Sequence, residues 1–333
     1  MNKRVSDFEN LIKKDYGNIA GIVVLHGGAK IYESYFNGYT DDNTLHIASV
    51  TKSIVSSLIG VAADKGYIKN INQKVLEFFP DYDVKRGEKM IQNVSIKNMI
   101  TMTAPYKYKS EPYTKVYTSG DWTKAALDLL GGKCNLGEFK YSTIGIQILS
   151  GILTNATGKS VLDFATENLF EPLGIKSPHN VSIHSKEEHF AFINDKYVSG
   201  WVVDPKGVNT AGWGLALTPR DMAKIGQLYL NKGVWNGKQV LSSKWIEDST
   251  KESSRWGELP YGYLWWIIDN KKHDCYAALG DGGNVIFINP EKKIVIAIAS
   301  RFMPLAKDRI ELIEKYIVPL FKDKSIIHDS DTV

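Results

Sequence analysis

Cysteine is almost missing from this sequence: Cys134 and Cys275 are the only two in 333 residues. That excludes a disulfide-stapled scaffold and any cysteine-rich zinc site. Two free thiols in a reducing compartment is the plainer reading, with a single bridge between them the alternative. Long apolar runs are missing as well. Nowhere do about 18 consecutive apolar residues occur, so neither a membrane-spanning helix nor a membrane partner is expected. The opening stretch, "MNKRVSDFENLIKKDYGNIAG", carries charges throughout and has no apolar core of signal-peptide length, which points to a cytoplasmic chain. A strong charge of one sign is also lacking. The net charge is +4, spread along the chain without a lysine- or arginine-rich run, and this argues against nucleic acid as a partner. There is no HExxH, and His184 and His189 stand five apart in a polar stretch, so no metal is expected. There is no G-x-S-x-G either, which removes the nucleophile elbow of the α/β-hydrolases.

What is present is an ordinary globular composition, 43% hydrophobic and 23% charged, in a length that suits a two-part enzyme. "IAGIVVLHGGAKIYESYF" holds two β-rich runs around Gly27-Gly28, the mark of a tight hairpin. "ASVTKSIVSSLIGVAADKG" then predicts a helix, with Val50, Ile54, Val55, Leu58 and Ile59 at helical spacing and Gly66 ending it. Val61, Ala62 and Ala63 extend the apolar surface to other faces, so this helix is expected to be buried on most sides. From about 65 to 185 the pattern is mainly helical, clearest in "DWTKAALDLL", "STIGIQILSGILTNAT" and "SVLDFATENLF". After residue 196 strands return in "KYVSGWVVD", "YGYLWWIID", "CYAALG", "NVIFINP" and "KIVIAIASR". "KDRIELIEKYIVPLF" predicts a closing amphipathic helix, and the last ten or so residues read as frayed. This order predicts an α+β fold: an antiparallel sheet flanked by helices, built from residues 1–62 and 186–333, with a mainly helical lobe, 63–185, inserted after the first hairpin. A cleft between two such lobes is a favoured ligand site.

Within "HIASVTKSI", Ser49 precedes Lys52 by three positions, and no other serine in the chain has a lysine at that spacing. On a helix the two lie on nearly one face, about 4.5 Å apart along the axis. The plain alternative is a capping serine followed by a surface lysine. Against it, a lysine on a mostly apolar helix has little access to water. Desolvation favours the neutral amine, a usable proton acceptor. The helix N-terminus adds free N–H groups and partial positive charge beside Ser49. Both effects suit an activated hydroxyl.

The larger pattern resembles a known family. "HIASVTKSI" looks like the first motif of the serine β-lactamases and penicillin-recognising enzymes. "GEFKYSTIGIQILSGILTNATGKSVLDFATENLFEPLGI" resembles the segment carrying their tyrosine motif. "YGYLWWI" and "YAALGDGGNVIFINPEKKIVIAIASR" resemble their last strands, where the third motif lies. The similarity spans nearly the whole chain in motif order and is greatest to the class C-like branch, which includes family VIII carboxylesterases and 6-aminohexanoate-dimer hydrolases. It implies a β-lactamase/transpeptidase-like fold and no cofactor. It also implies that Ser49 is the acylated nucleophile, that Lys52 assists proton transfer, and that the phenol of Tyr141 in "KYSTIG" relays the proton to the leaving group. The oxyanion hole would use the backbone N–H groups of Ser49 and Asn284, each donor worth about 10²–10³ in rate. The third motif aligns with Asp281, Gly282 and Gly283, where a side chain at 283 would block substrate approach to the strand. Trp213 falls in "AGWGLALTP", similar to a family segment near the active site; Trp201, Trp265 and Trp266 could line the cleft or pack the core.

Two departures bear on the substrate. Thr143 stands where the family has an asparagine that contacts the acylamido group of lactams. Asp281 stands where the family has the cation that receives the substrate carboxylate. An aspartate there repels a carboxylate or holds an amino group, unless it is simply a turn residue in a Gly-rich bend. Both departures argue against an efficient β-lactamase and leave general acyl transfer intact. The resemblance therefore implies a serine hydrolase acting on a small ester or amide, esterase-like in preference. The rivals are a non-catalytic member of the fold that binds a small amide or peptide, and a D-amino-acid amidase or aminopeptidase. Nothing in the sequence fixes the oligomeric state.

Overall fold

The computed structural model describes residues 3–133, 135–269 and 275–321. Cys134 and the C-terminal residues expected to fray lie outside these residues; Cys275 is buried. The first helix, α1 (Lys3–Asp15), turns Phe8 and Ile12 to one face at a spacing of four, and Tyr16 continues that face. Gly27 and Gly28, both at positive φ (58° and 90°), then make the two-residue turn between β1 (Ile19–His26) and β2 (Ala29–Tyr35). Helix α2 (Val50–Asp64) is buried from Val50 to Ala62, as its all-round apolar pattern predicts. Three more helices matter for the site: α3 (Trp122–Leu129), α4 (Thr143–Thr157) and α5 (Pro219–Leu230). The remaining strands of the main sheet follow in sequence: β3 (Ser254–Trp256), β4 (Leu259–Tyr261), β5 (Trp266–Asp269), β6 (Cys275–Gly280), β7 (Asn284–Asn289) and β8 (Ile294–Ser300). A last helical run, α6 (309–320), relaxes into a π turn over Ile313–Ile317.

The eight strands lie in the order β2-β1-β8-β7-β6-β5-β4-β3, and every neighbouring pair is antiparallel. The fold is the α+β arrangement that the sequence implies. One expected strand goes elsewhere: Trp201–Val203, in "KYVSGWVVD", pairs in parallel with Asn180–Ser182 in a separate ribbon. The segment between it and β3 carries two helices, α5 and Ser243–Ser249, and only two-residue strands.

Both faces of the sheet are covered, which is why its central strands read as unbroken apolar runs. In β8, Ile294, Ile296 and Ile298 pack into one core with Phe8, Ile12, Leu312 and Ile317 from α1 and α6. Val295, Ala297 and Ala299 face the opposite core, which α5, α2 and the helical segments share. Among the described residues no helix is long and apolar enough to cross a membrane.

Candidate active site

Ala48 takes a left-handed backbone (φ 49°) immediately before α2, which costs a non-glycine residue about 1–2 kcal/mol. The turn sets Ser49 at the helix N-cap, yet its hydroxyl makes no capping hydrogen bond. The hydroxyl is spent on Lys52 instead: Lys52 Nζ donates to Ser49 Oγ at 2.8 Å. Lys52 is 1% exposed and Ser49 half-buried, so the amine sits inside while the hydroxyl reaches the groove. Three oxygen acceptors surround Lys52 Nζ. Besides Ser49 Oγ they are Gly212 O at 2.8 Å and Thr143 Oγ1 at 3.2 Å. Only an uncharged amine, with its lone pair turned to Ser49, could accept the Ser49 proton across the same 2.8 Å contact.

Tyr141 stands beside this pair in a different manner from the one the resemblance implies. Lys52 Nζ lies 4.9 Å from the centre of its ring, and the ring stacks on half-buried Trp266 with centroids 6.0 Å apart. Among the described residues its hydroxyl makes no hydrogen bond to Ser49 or Lys52. Thr143, the first residue of α4, takes the polar contact with the amine. Ser142 caps α4 by accepting from the Gly145 N–H at 2.7 Å, which fixes where Tyr141 and Thr143 emerge.

The hairpin between β6 and β7 lies against the start of α2 through Gly280. Gly280 is the position that meets Ser49: a Cβ there would stand 2.5 Å from Ile47 O and 3.2 Å from the Ser49 nitrogen. The hydrogen bonds of the two turns leave the Ser49 and Asp281 N–H groups without an acceptor among the described residues. Asn284 is 1% exposed and acts through its side chain, donating to His46 O and Asp281 O and accepting from the Ser300 N–H. Gly282 and Gly283 face away from the groove. A Cβ on Gly283 (φ 88°) would meet the Arg309 guanidinium at 2.6 Å, and one on Gly282 (φ 78°) would meet Phe302 Cα at 3.1 Å. Their lack of side chains serves packing behind the turn and not substrate access. Asp281 is exposed at the tip.

Trp213 forms a wall of the site beside Gly212. Its indole N–H donates to Tyr117 at 2.9 Å, and its ring meets His46 and His189 edge-on. His46 Nε2 accepts from the Gly214 N–H at 3.1 Å, so the imidazole is neutral there with its proton on Nδ1. Burial first, and the neighbouring His189 second, push its pKa down to about 3. Trp201 and Trp265 are fully buried core residues.

Sequence reasoning missed the opposite rim. Tyr113 and Tyr117 stack at i and i+4 on a short helix, Tyr113–Tyr117. The Tyr113 hydroxyl donates to Glu111 at 2.6 Å. Glu111 also accepts from Ser142 Oγ at 2.9 Å and from the Ile144 N–H at 2.8 Å, tying this rim to the start of α4. Burial, then Glu111, then Asp281 raise the Tyr113 pKa, which also places Asp281 within electrostatic reach across the groove. The signal available was "EPYTKVY", an acid beside two aromatics one helical turn apart.

Comparison with known proteins agrees with this fold. A family model described as Beta-lactamase matches residues 8–317. The 6-aminohexanoate-dimer hydrolase of Paenarthrobacter ureafaciens is 24% identical over 319 residues, covering 88% of this chain and 74% of its own. A class C beta lactamase from Rhodobacter sphaeroides superposes with a TM-score of 0.70 at 16% identity, over 96% of this chain and 99% of that one. A family VIII carboxylesterase superposes with a TM-score of 0.71 at 18% identity, over 95% and 96% of the two chains. At these identities the structural likeness speaks for the fold alone.

Proposed function

This chain belongs to the beta-lactamase family, and on that premise we propose that it is a serine hydrolase acting through an acyl-enzyme on an ester or small amide. The observation that carries the reading is the 2.8 Å contact between Lys52 Nζ and a Ser49 hydroxyl that no helix cap consumes. Ser49 Oγ attacks the substrate carbonyl carbon while its proton passes to the lone pair of Lys52 Nζ, which acts as the uncharged amine. The resulting oxyanion is met by the Ser49 N–H and by the Asp281 N–H, the peptide after Gly280, in place of Asn284. Collapse breaks the bond to the alcohol or amine, which leaves with a proton, and a water repeats the attack on the acyl carbonyl to free Ser49.

An esterase-like preference follows from the groove chemistry. Asp281 offers a carboxylate and no cation to a substrate carboxylate, so neutral or amino-bearing substrates suit the site. The Thr143 hydroxyl is already engaged by Lys52 and is shorter than an amide side chain. The relatives named above include an amide hydrolase and a carboxylesterase.

Ser49→Ala is expected to drop p-nitrophenyl butyrate hydrolysis to background, and a fluorophosphonate is expected to leave an adduct on Ser49 of the wild type by mass spectrometry. Wild-type-like turnover by the variant ends the reading. A wild type that forms no adduct favours a binding member of the fold. In a panel of esters, D-amino amides and a chromogenic cephalosporin, the cephalosporin is expected to turn over slowest.

A further inference from the structure

We infer that Trp256 and Trp266 form a subsite for an elongated apolar group of the substrate, alkyl or aromatic; this rests on the acyl-enzyme reading above. In an antiparallel sheet, directly opposed residues, and residues two apart on one strand, point to the same side. Trp256 opposes Leu259 across the turn between β3 and β4, and Tyr261 opposes Trp266 across β4 and β5. These four side chains therefore share one face. Tyr261 and Trp266 pack on the core that α2, α5 and the helical segments share. Farther out that cover stops: Trp256 is 61% exposed and Leu259 43%. An apolar face thus runs from the core into solvent at this edge of the sheet.

The inner end of that face is the candidate active site. Lys52 Nζ lies 4.9 Å from the centre of the Tyr141 ring. The Tyr141 and Trp266 rings are stacked with centroids 6.0 Å apart, and those of Trp266 and Trp256 meet edge-on at 6.1 Å. Three contacts, all through aromatic rings, join the amine beside Ser49 to an exposed indole. A butyryl chain is about as long as one of these steps, so only a longer group touches Trp256.

The surface is set before a ligand arrives. Phe139 and Tyr261 pack on Trp266 with centroids 6.3 and 4.6 Å away. Ser254 Oγ donates to Thr101 O at 2.6 Å, which ties β3 to the helical segment. A fixed aromatic surface loses little side-chain freedom on binding. Its continuity with the Ser49 groove decides the occupant: a group that lies on Trp256 and is joined to a carbonyl at Ser49 removes apolar area of both partners from water.

The test compares long and short chains on each side of the scissile bond. One arm sets p-nitrophenyl decanoate against p-nitrophenyl acetate; the other sets decyl acetate against ethyl acetate. Trp256→Ala is expected to lower the long-to-short ratio of kcat/KM by about tenfold in at least one arm, mainly through KM. The arm that responds shows whether the acyl group or the alcohol lies on the indole. Trp256→Phe is expected to recover most of the ratio, and Trp256→Asp to lower it further. Unchanged ratios in both arms overturn the inference even where the fluorophosphonate still labels wild-type Ser49. So does a Trp256→Ala variant whose only change is a smaller oligomer by size-exclusion chromatography, because a second copy then covers the indole. A wild type without the Ser49 adduct fails at the earlier step and takes both readings with it.

Discussion

A neutral imidazole holds one wall of the groove. His46 receives the Gly214 N–H, and Gly212, two residues earlier, receives Lys52. Protonating Nε2 would turn that acceptor into a donor facing another donor. With the folded-state pKa pushed down to about 3, first by burial and then by His189, the unfolded chain binds a proton that folded His46 refuses between roughly pH 3 and 6.5. Stability therefore rises with pH through that window, and His46 adds no further slope above it. His46→Gln keeps an acceptor for Gly214 without a titrating group. Urea unfolding at pH 5 and pH 7 is expected to show a stability difference smaller than that of wild type, by up to about 2 kcal/mol. Identical differences in the two proteins would show that the histidine is not buried neutral.

The elements that carry the chemistry are the ones written in local sequence. Helix α2 is legible because its apolar spacing is continuous, and Ser49 and Lys52 are legible because one helical turn joins them. Its buried serines follow from partners that spacing does not reveal: Ser53 and Ser56 each donate at 2.6 Å, to Leu264 O and Tyr263 O. Helix α1 is hidden because lysines and acids separate Phe8, Ile12 and Tyr16. Gly280 and the Glu111–Tyr113 pair are silent for another reason: each takes its meaning from a contact with a distant segment. The same holds for Gly226, on the face of α5 that presses on the sheet. A Cβ there would stand 2.5 Å from Val295 Cγ1 and 2.9 Å from Ile286 Cγ2, both on stiff β-branched side chains. Alanine gains about 1 kcal/mol in helix propensity but overpacks this contact, which costs about 1–3 kcal/mol. Gly226→Ala is expected to be destabilising by about 1 kcal/mol net in urea unfolding; a more stable variant would mean the helix moves off the sheet freely.

At the scale of the molecule, the first and last helices meet behind the hairpin between β6 and β7. Asn18, just after α1, donates to Gly282 O at 2.6 Å and to Arg301 O at 2.9 Å, and accepts from Arg309 Nη2 at 2.6 Å. Arg309, at the start of α6, is buried with its guanidinium over the Tyr16 ring and against Gly283, and burial lowers its pKa to about 10. The turn that presents the Asp281 N–H is thus clamped from the face of the sheet opposite Ser49. Asn18→Ala removes two donors from carbonyls and the acceptor of a buried cation. Losses of about 1–3 kcal/mol per unsatisfied buried group put the expected destabilisation near 3 kcal/mol. If the clamp also sets the turn for catalysis, kcat for p-nitrophenyl butyrate falls by about tenfold at a temperature where circular dichroism shows the variant folded, and fluorophosphonate labelling of Ser49 slows with it. A variant that loses stability but keeps wild-type kcat would show that β6 and β7 hold the turn by themselves, leaving Asn18 and Arg309 a purely structural part in the sheet's outer core.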